Sequence, residues 1–403
     1  MTTVKLLVLT FYYAPDLSAG AFRATALVRA LVESLPPGAS IDVITTRPNR
    51  YSSFSVDVLP EEVVAPVRIR RVALPPHKSG MIDQSKAFIG FARAALRMTR
   101  GEQYDVVFAT SSRLMTAVLG SAIARRAHAP LYLDIRDIFV DTMKDVLPVR
   151  IAWAFGPFLR WLERFAILRA ARISLVSEGF RGYFASRYPR ARFVFFTNGI
   201  DDEFVGADWS FPDAERATGT YRPVQPFTVL YAGNIGDGQG LHAVVPALAA
   251  AMSGRFRFRI IGDGGRRGQL KRAISDAGVT NVELLSPMPR QQLADEYRRA
   301  DVLFLHLNDY DAFRKVLPSK IFEYAATGKP IWAGVAGYSA EFLAEHVVNA
   351  AVFPPCDAFA GVRALESLTL QMTDRAAFIA RFSRRTIAAA MADDILRVAV
   401  RHE

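Results

Sequence analysis

Short, almost uninterrupted apolar runs alternate with longer stretches of helical periodicity, and along this chain the alternation happens twice. In the first series residues 4–10, 41–45, 67–72, 105–110 and 131–135 read as strands, with helical patterns at 21–34, 84–100 and 113–128. In the second, strands at 227–231, 256–261, 282–285, 302–307 and 330–333 are separated by helices at 241–252, 267–277, 290–299, 319–327 and 339–346. Strands that alternate with helices close into parallel βαβ units. Strands that are apolar on both faces are covered by helices on both sides. The expected fold class is therefore α/β, with two doubly wound, Rossmann-like domains, and 403 residues suit two domains. Residues 201–225, rich in Asp, Gly, Pro and Thr, read as the linker. Residues 378–400 read as one helical tail.

In open parallel sheets the strand-to-helix turns at the carboxyl ends hold the ligand, so the turns are where chemistry is expected. The first runs from Phe11 to Gly20 and enters a helix at Ala21. Gly20 lets a ligand approach the backbone, the helix start offers free N–H groups to a phosphate, and Arg23 adds a charged fork. A plain tight turn would use the same residues. The second series opens with a stronger signal: Gly233, Gly236, Gly238 and Gly240 fall within eight residues directly after a strand, with Asn234 and Gln239 among them. Glycine is costly unless the backbone needs left-handed dihedrals or close approach, and a phosphate cradle needs both. It is not a Walker loop, because no Gly-Lys-Ser/Thr follows. Gly262 and Gly264 end the next strand, and Met288 and Pro289 the one after, where a rigid loop can frame a base. Then comes Lys315-Val316-Leu317-Pro318-Ser319-Lys320-Ile321-Phe322-Glu323. Pro318-Ser319 is a helix-start signal with Ser319 placed to cap. Lys320 and Glu323 lie nearly one turn apart: a carboxylate suits the hydroxyls of a ribose, and an ammonium a diphosphate. A solvated ion pair is the plainer reading of the same two residues.

These residues carry a resemblance. Residues 231–241, 260–264 and above all 318–330 resemble the retaining glycosyltransferases of family 4, which have the GT-B fold. Thr197-Asn198-Gly199-Ile200-Asp201 is similar to the family's NG[VI]D signature, and residues 131–139, with Arg136-Asp137, to a segment of bacterial members that build surface polysaccharides. The resemblance covers nearly the whole chain. It implies two Rossmann-like domains facing a central cleft, with an acceptor-binding domain at 1–205 joined by a returning helix at 378–403, and a nucleotide-sugar domain at 212–377. It implies transfer of a hexosyl or N-acetylhexosaminyl group from a nucleotide diphosphate sugar, a UDP-sugar by expectation, to a glycan or polyprenol-linked acceptor, with retention. It also implies that no metal and no cofactor serve the diphosphate, whose charge falls to cations and helix N-termini. Asp137, Glu323 and Lys320 are then the catalytic candidates, Asp137 toward the acceptor hydroxyl or the sugar. A capping or salt-bridged role beside Arg136 is the other reading of Asp137.

Three positions depart from the family pattern. Its first glutamate, eight residues before Glu323, is Lys315 here. Its two diphosphate cations at the glycine loop are Asn234 and Gln239. Lys320, Lys315 or Arg314 are left to supply the charge. These departures keep open a non-catalytic nucleotide-sugar-binding partner subunit; a nucleotide-sugar epimerase of the same fold is the other alternative, and it needs an acid/base pair that the sequence does not offer.

Other signals bound the partners. One cysteine, Cys356, excludes an internal disulfide framework and a cysteine-rich zinc site. Asp309-Tyr310-Asp311 is a D-x-D, but the sheet type argues against a metal there, and His306, inside an apolar strand, reads as a core residue with one hydrogen bond. No charge-free apolar run is long enough to span a bilayer, and no leader precedes the first strand. A cytoplasmic protein is the expectation. The net charge of +11 draws anions. No nucleic-acid-binding motif accompanies it. Two basic amphipathic stretches, 84–100 and 150–172, and a loop at 75–82 point instead to the anionic inner face of a membrane. Oligomeric state is not legible.

Overall fold

The computed structural model describes residues 4–16, 18–48, 56–74, 81–111, 114–138, 140, 149–209 and 226–400. Residues 75–80 of the expected basic loop, Phe139 and residues 210–225 of the expected linker lie outside that set. The chain separates into two compact units, Met1–Asn198 with Arg384–Glu403, and Gly199–Ser383.

The first unit runs β1 (Lys5–Leu9), α1 (Ala19–Ser34), β2 (Ser40–Thr46), β3 (Glu61–Val64), β4 (Val67–Val72), α2 (Met81–Met98), β5 (Val106–Thr110), α3 (Leu114–Arg126), β6 (Leu131–Ile135), α4 (Val149–Ile167), β7 (Ala170–Leu175), α5 (Arg181–Arg187) and β8 (Phe193–Phe195). Its sheet has the order β3-β4-β2-β1-β5-β6-β7-β8, parallel but for β3. The second unit runs β9 (Phe227–Ala232), α6 (Leu241–Ala251), β10 (Phe256–Ile261), α7 (Arg267–Asp276), β11 (Val282–Leu285), α8 (Arg290–Arg299), β12 (Val302–His306), α9 (Lys320–Ala326), β13 (Ile331–Gly334), α10 (Tyr338–His346), β14 (Ala350–Phe353), α11 (Ala358–Glu366) and α12 (Ala376–Phe382). Its sheet, β11-β10-β9-β12-β13-β14, is parallel throughout. The last helix, α13 (Arg384–Val400), belongs to the first unit. There Ala388, Met391, Ala392, Ile395 and Val398 join the core formed by Ala24, Leu27, Val28 and Leu31 of α1. Asp394 fixes its register by accepting from the Tyr132 hydroxyl at 3.0 Å and pairing with Arg172 at 3.3 Å.

The tail expected as one helix over 378–400 is two. The break falls at Ser383, which forms a parallel bridge with Ile200, while the Ile200 N–H bonds the Phe382 carbonyl at 2.8 Å. Phe378 and Phe382 stay in the second unit against Phe322 and Phe342. Residues 199–205 and 378–383, expected with the first domain, therefore fall in the second unit. Helical periodicity runs unbroken across Ser383, so only tertiary pairing reveals the boundary. The basic stretch 150–172 likewise does not stay helical: α4 ends at Ile167 and Arg172 sits on β7. The apolar side of α2 is core, because Phe88, Phe91 and Ala95 are buried and the rings pack on Phe11. Lys86, Arg93 and Arg97 of that helix, and Arg100 just beyond it, face outward, with Ile89 exposed among them.

Candidate active site

Each sheet reverses its strand order once, between β1 and β5 and between β9 and β12. Helices diverge at such a point and leave the loops at the strand ends open to a ligand. In the second unit the loop after β9 lies there. Its glycines are set by close approach: a Cβ on Gly262 would run into the Gly233 carbonyl, a Cβ on Gly264 would meet the Ile235 carbonyl at 2.5 Å, and a Cβ on Gly233 would run into the stem of Lys320. Gly240, at φ 56°, begins α6 in the left-handed region that glycine alone enters cheaply.

Asn234 and Gln239 hold the loop instead of charging it. Asn234 Nδ2 donates to Gln239 Oε1 at 2.8 Å, and the Gly236 N–H donates to the same oxygen at 3.2 Å. The Tyr231 hydroxyl donates to the Asn234 carbonyl at 2.6 Å. At the far side Asp237 accepts from the Tyr310 hydroxyl at 2.7 Å and from Arg266 Nε at 2.8 Å, and these partners hold its carboxyl below the usual range. Asn308 Nδ2 donates to the Asp237 carbonyl at 2.9 Å.

His306 is buried as expected but makes two hydrogen bonds. The Cys356 N–H donates to Nε2 at 3.0 Å, so Nε2 carries no proton, and Nδ1–H therefore donates to the Gln239 carbonyl at 2.6 Å. Burial pushes the imidazole down to about 4. The unfolded chain, with an ordinary histidine near 6.5, binds the extra proton between those values, so stability is lost as pH falls from about 6.5 toward 4. We expect a cost of about 2 kcal/mol by pH 5 from this residue alone. Thermal unfolding from pH 7.5 to 5 should show the loss, and His306→Gln should flatten that part of the profile. An unchanged slope in the variant would assign the acid sensitivity elsewhere.

Pro318 and Ser319 lead into α9, but Ser319 is already helical (φ −59°, ψ −27°) and its side chain makes no capping bond, contrary to expectation. A cap must leave the helical region to aim its oxygen back at the first-turn N–H groups. The inward side of α9 is Ile321, Phe322, Tyr324, Ala325 and Ala326, all buried. That leaves Lys320 and Glu323 on the outer side, with Nζ and Oε2 3.9 Å apart and both side chains part-exposed. The Tyr324 hydroxyl accepts from the Ala232 N–H at 3.2 Å and ties α9 to the end of β9. The structure thus brings Gly233, Asn234, Gln239, Gly262, Gly264, Lys320 and Glu323 together. Met288 and Pro289 join through the residue after them: Arg290 pairs with Asp201 at 2.7 Å and with Glu203, and lies in the field of Glu323. The Tyr297 hydroxyl is buried beside Glu323; burial, with that charge, pushes it well above the usual phenol range. Lys315 ends the short helical turn Asp311–Lys315. Arg314 of that turn pairs with Asp309 at 3.1 Å and Asp311 at 3.7 Å. Among the described residues no three His, Cys, Asp or Glu side chains gather as a metal would require, and no helix is long and apolar enough to cross a membrane.

In the first unit Ser18 caps α1, its Oγ accepting from the Ala21 N–H at 3.1 Å. Arg23 is not the expected phosphate fork. It is 6% exposed and fully engaged: Nε and Nη2 clasp Asp134 at 2.9 and 2.8 Å, while Nη1 and Nη2 bond the Thr197 and Phe196 carbonyls at 2.6 and 2.8 Å. The cation over Gly20 is Arg136, whose Nη1 donates to the Ala19 carbonyl at 3.3 Å. Burial and the charge of Arg23 push Arg136 down to about 10, and it stays charged at neutral pH. Asp137, next along, keeps an open path to solvent and has no partner at its carboxylate among the described residues. The crowded surroundings nonetheless push it up to about 6 against the pull of Arg136.

Residues 19–199 match the model of the glycosyl transferase 4-like domain, and residues 218–384 match glycosyl transferases group 1. The chain belongs to the group 1 glycosyltransferases. WcaI of Escherichia coli K12, named as a colanic acid biosynthesis glycosyl transferase, is 30% identical over 100 residues, and the match spans about a quarter of either protein, 25% of this chain and 24% of that one. Two solved structures share the fold over nearly their full length. HepE of Anabaena, solved with UDP-glucose, is 17% identical with a TM-score of 0.63, covering 98% of this chain and 99% of that one. The α,α-trehalose 6-phosphate synthase of Burkholderia multivorans is 12% identical with a TM-score of 0.68, covering 100% and 98%. The transferase therefore has the GT-B fold, two parallel-sheet Rossmann-like domains.

Sequence reading missed several residues around these loops. Asp134 was visible as a lone acid in an apolar strand, which calls for a buried counterion. Arg290 and Tyr297 gave no such signal, because ordinary helix and loop residues acquire a role only when the chain folds them beside Glu323; Asp201 stood out only as the last residue of the NG[VI]D signature.

Proposed function

We propose that the transferase moves a hexosyl or N-acetylhexosaminyl group from a UDP-sugar to a glycan or polyprenol-linked acceptor, with retention, in the cytoplasm at the inner face of the membrane. The observation that carries the reading is the packing of the Lys320 stem across Gly233 with Glu323 one turn along the same outer edge of α9. A diphosphate laid on the glycine loop meets the Lys320 ammonium, and the ribose hydroxyls reach the Glu323 carboxylate. The sugar–phosphate bond breaks as the acceptor oxygen bonds the anomeric carbon from the same face. The acceptor proton passes to the departing phosphate oxygen. The protein's task is to hold the leaving charge in place, with fixed dipoles and cations rather than a metal. Asp137, on the first unit with the acceptor, orients the acceptor hydroxyl or the sugar. The UDP base follows the neighbour solved with UDP-glucose.

Calorimetric titration of the purified chain with UDP, GDP, ADP and TDP tests the reading. We expect UDP to bind, and Glu323→Ala to weaken it by about 1–3 kcal/mol, roughly 5- to 150-fold, the worth of hydrogen bonds to a charged group. Binding of a different diphosphate would change the donor. No binding at all in a folded protein would overturn the site. Tight binding with no turnover on any acceptor would favour a nucleotide-sugar-binding subunit.

A further inference from the structure

Glu323 is loosely held for a residue that must meet a ribose. Among the described residues its carboxylate has one cation in ion-pair range, Lys320 at 3.9 Å, which is longer than a hydrogen bond. Arg290 lies in the same field, but its guanidinium is engaged with Asp201 at 2.7 Å and with Glu203. A part-exposed carboxylate without a short partner keeps several rotamers, and a ligand that needs one of them must first order it.

A phenol faces this carboxylate from α8. Tyr297 is the buried residue of that helix, at 0% exposure. Its ring is wedged among three others, with Tyr324 edge-on at 5.7 Å, Phe204 at 6.1 Å and Trp209 at 6.3 Å. Phe204 and Trp209 stack on each other at 5.2 Å, and Arg298 of α8 donates to the Asp208 carbonyl at 3.0 Å, so segment 199–209 sets the direction in which the phenol points. Its hydroxyl is enclosed and, among the described residues, makes no hydrogen bond of ordinary geometry. The two other tyrosines beside the glycine loop are satisfied: Tyr231 donates to the Asn234 carbonyl at 2.6 Å, and Tyr324 accepts from the Ala232 N–H at 3.2 Å. The charge that acts on Tyr297 most strongly is Glu323, ahead of Tyr324 and Arg290.

An enclosed donor with no acceptor is unfavourable, and the acceptor at hand is that carboxylate. The phenol keeps its proton, since losing it would put a second negative charge beside Glu323 in a buried place. A carboxylate accepts several bonds at once, so a bond to one oxygen leaves the other for a ligand. A bond to a charged acceptor is also short and directional, which suits a side chain that Lys320 alone leaves loose.

We propose that Tyr297 is a positioning residue of the donor site: its hydroxyl donates to one oxygen of Glu323 and holds the other toward the ribose hydroxyls of the nucleotide. The inference rests on the ribose role given to Glu323 above and adds the group that aims it.

The test is calorimetric titration of the parent chain and of Tyr297→Phe with UDP and with dideoxy-UDP, which lacks both ribose hydroxyls. The phenylalanine ring keeps the contacts with Tyr324, Phe204 and Trp209, so the variant should melt with the parent. UDP binding should weaken by about tenfold, the worth of roughly one hydrogen bond to a charged group. Dideoxy-UDP should bind the parent and the variant alike, an outcome that a general loosening of the fold would not give. In a Glu323→Ala background the tyrosine change should weaken UDP no further, because the two residues act as one. Equal UDP affinity in parent and Tyr297→Phe would overturn the assignment. So would an equal loss for both nucleotides, or losses that add in the double variant, since the tyrosine would then act on something other than the ribose through Glu323. No binding of UDP by the parent chain would strike the donor reading itself, and the inference with it.

Discussion

Arg23→Ala should destabilise the first unit by about 3–5 kcal/mol while leaving nucleotide binding by the second unit unchanged. Arg23 and Asp134 form a two-pronged pair at 2.9 and 2.8 Å with both side chains almost fully buried. A buried pair contributes modestly as a pair, because desolvation offsets the attraction, but removing one partner strands the other. Without Arg23, the Asp134 carboxylate, 1% exposed, keeps among the described residues only the Ser174 hydroxyl at 3.1 Å. The Phe196 and Thr197 carbonyls also lose their donors. Those carbonyls precede the end of the unit at Asn198, so the loss falls where the chain leaves the first unit. Denaturant unfolding followed by calorimetry should resolve the units separately, since two units need not melt together. Asp134→Asn with Arg23→Ala should cost less than the two single changes added, as the two residues share one interaction. A variant of native stability that had lost phosphate affinity would restore Arg23 to the ligand site and remove the structural reading.

This residue also marks the limit of reading the sequence alone. The strand-helix alternation, the glycines at 233–240 and the helix after Pro318 are local signals, and the fold follows from them because parallel βαβ units leave few choices of topology. Side-chain commitments are another matter. Arg23 and Arg136 are both arginines near a helix start, and only the buried Asp134 decides which is neutralised and which lies over Gly20. Asn234 and Gln239 read as two missing cations, whereas in space they are one hydrogen-bonded latch that fixes the loop's shape. Strands β7 and β8 escaped notice because Arg172 and Ser174 interrupt the apolar run in β7 and β8 has only three residues. Strand β3 escaped because an exposed, charged edge strand has the composition of a loop. The two basic helices looked alike in sequence, and burial separates them: the rings of Phe88 and Phe91 on α2 face the core, and those of Phe158 and Trp161 on α4 face out.

The latch concentrates the demand for charge on one residue, and Lys320→Ala should lower kcat by about 10²–10³-fold, or roughly 3–4 kcal/mol in the transition state. The Lys320 stem rests against Gly233, so the ammonium is held at the loop and little reorganisation is needed when charge develops on the leaving diphosphate. Asn234 and Gln239 are neutral and satisfied by each other, and Arg266 is tied to Asp237 at 2.8 Å. Among the described residues Lys320 itself has only the Glu323 carboxylate at 3.9 Å and the Tyr324 ring at 5.9 Å, both looser than a charged hydrogen bond. Its ground-state partners are weak, so its strongest interaction is kept for the leaving group, and the loss should appear in kcat more than in donor KM. Stability should change by less than about 1 kcal/mol, since a part-exposed i,i+3 pair is worth no more. Glu323→Gln supplies the contrast: the carboxylate meets the ribose alike in ground and transition states, so KM should rise with kcat nearly unchanged. Steady-state kinetics of both variants with the donor found by titration decide the matter. If Lys320→Ala shifted only KM, the ammonium would bind substrate and transition state equally, and the charge on the leaving group would have to be met by Lys315 or by the backbone of the glycine loop.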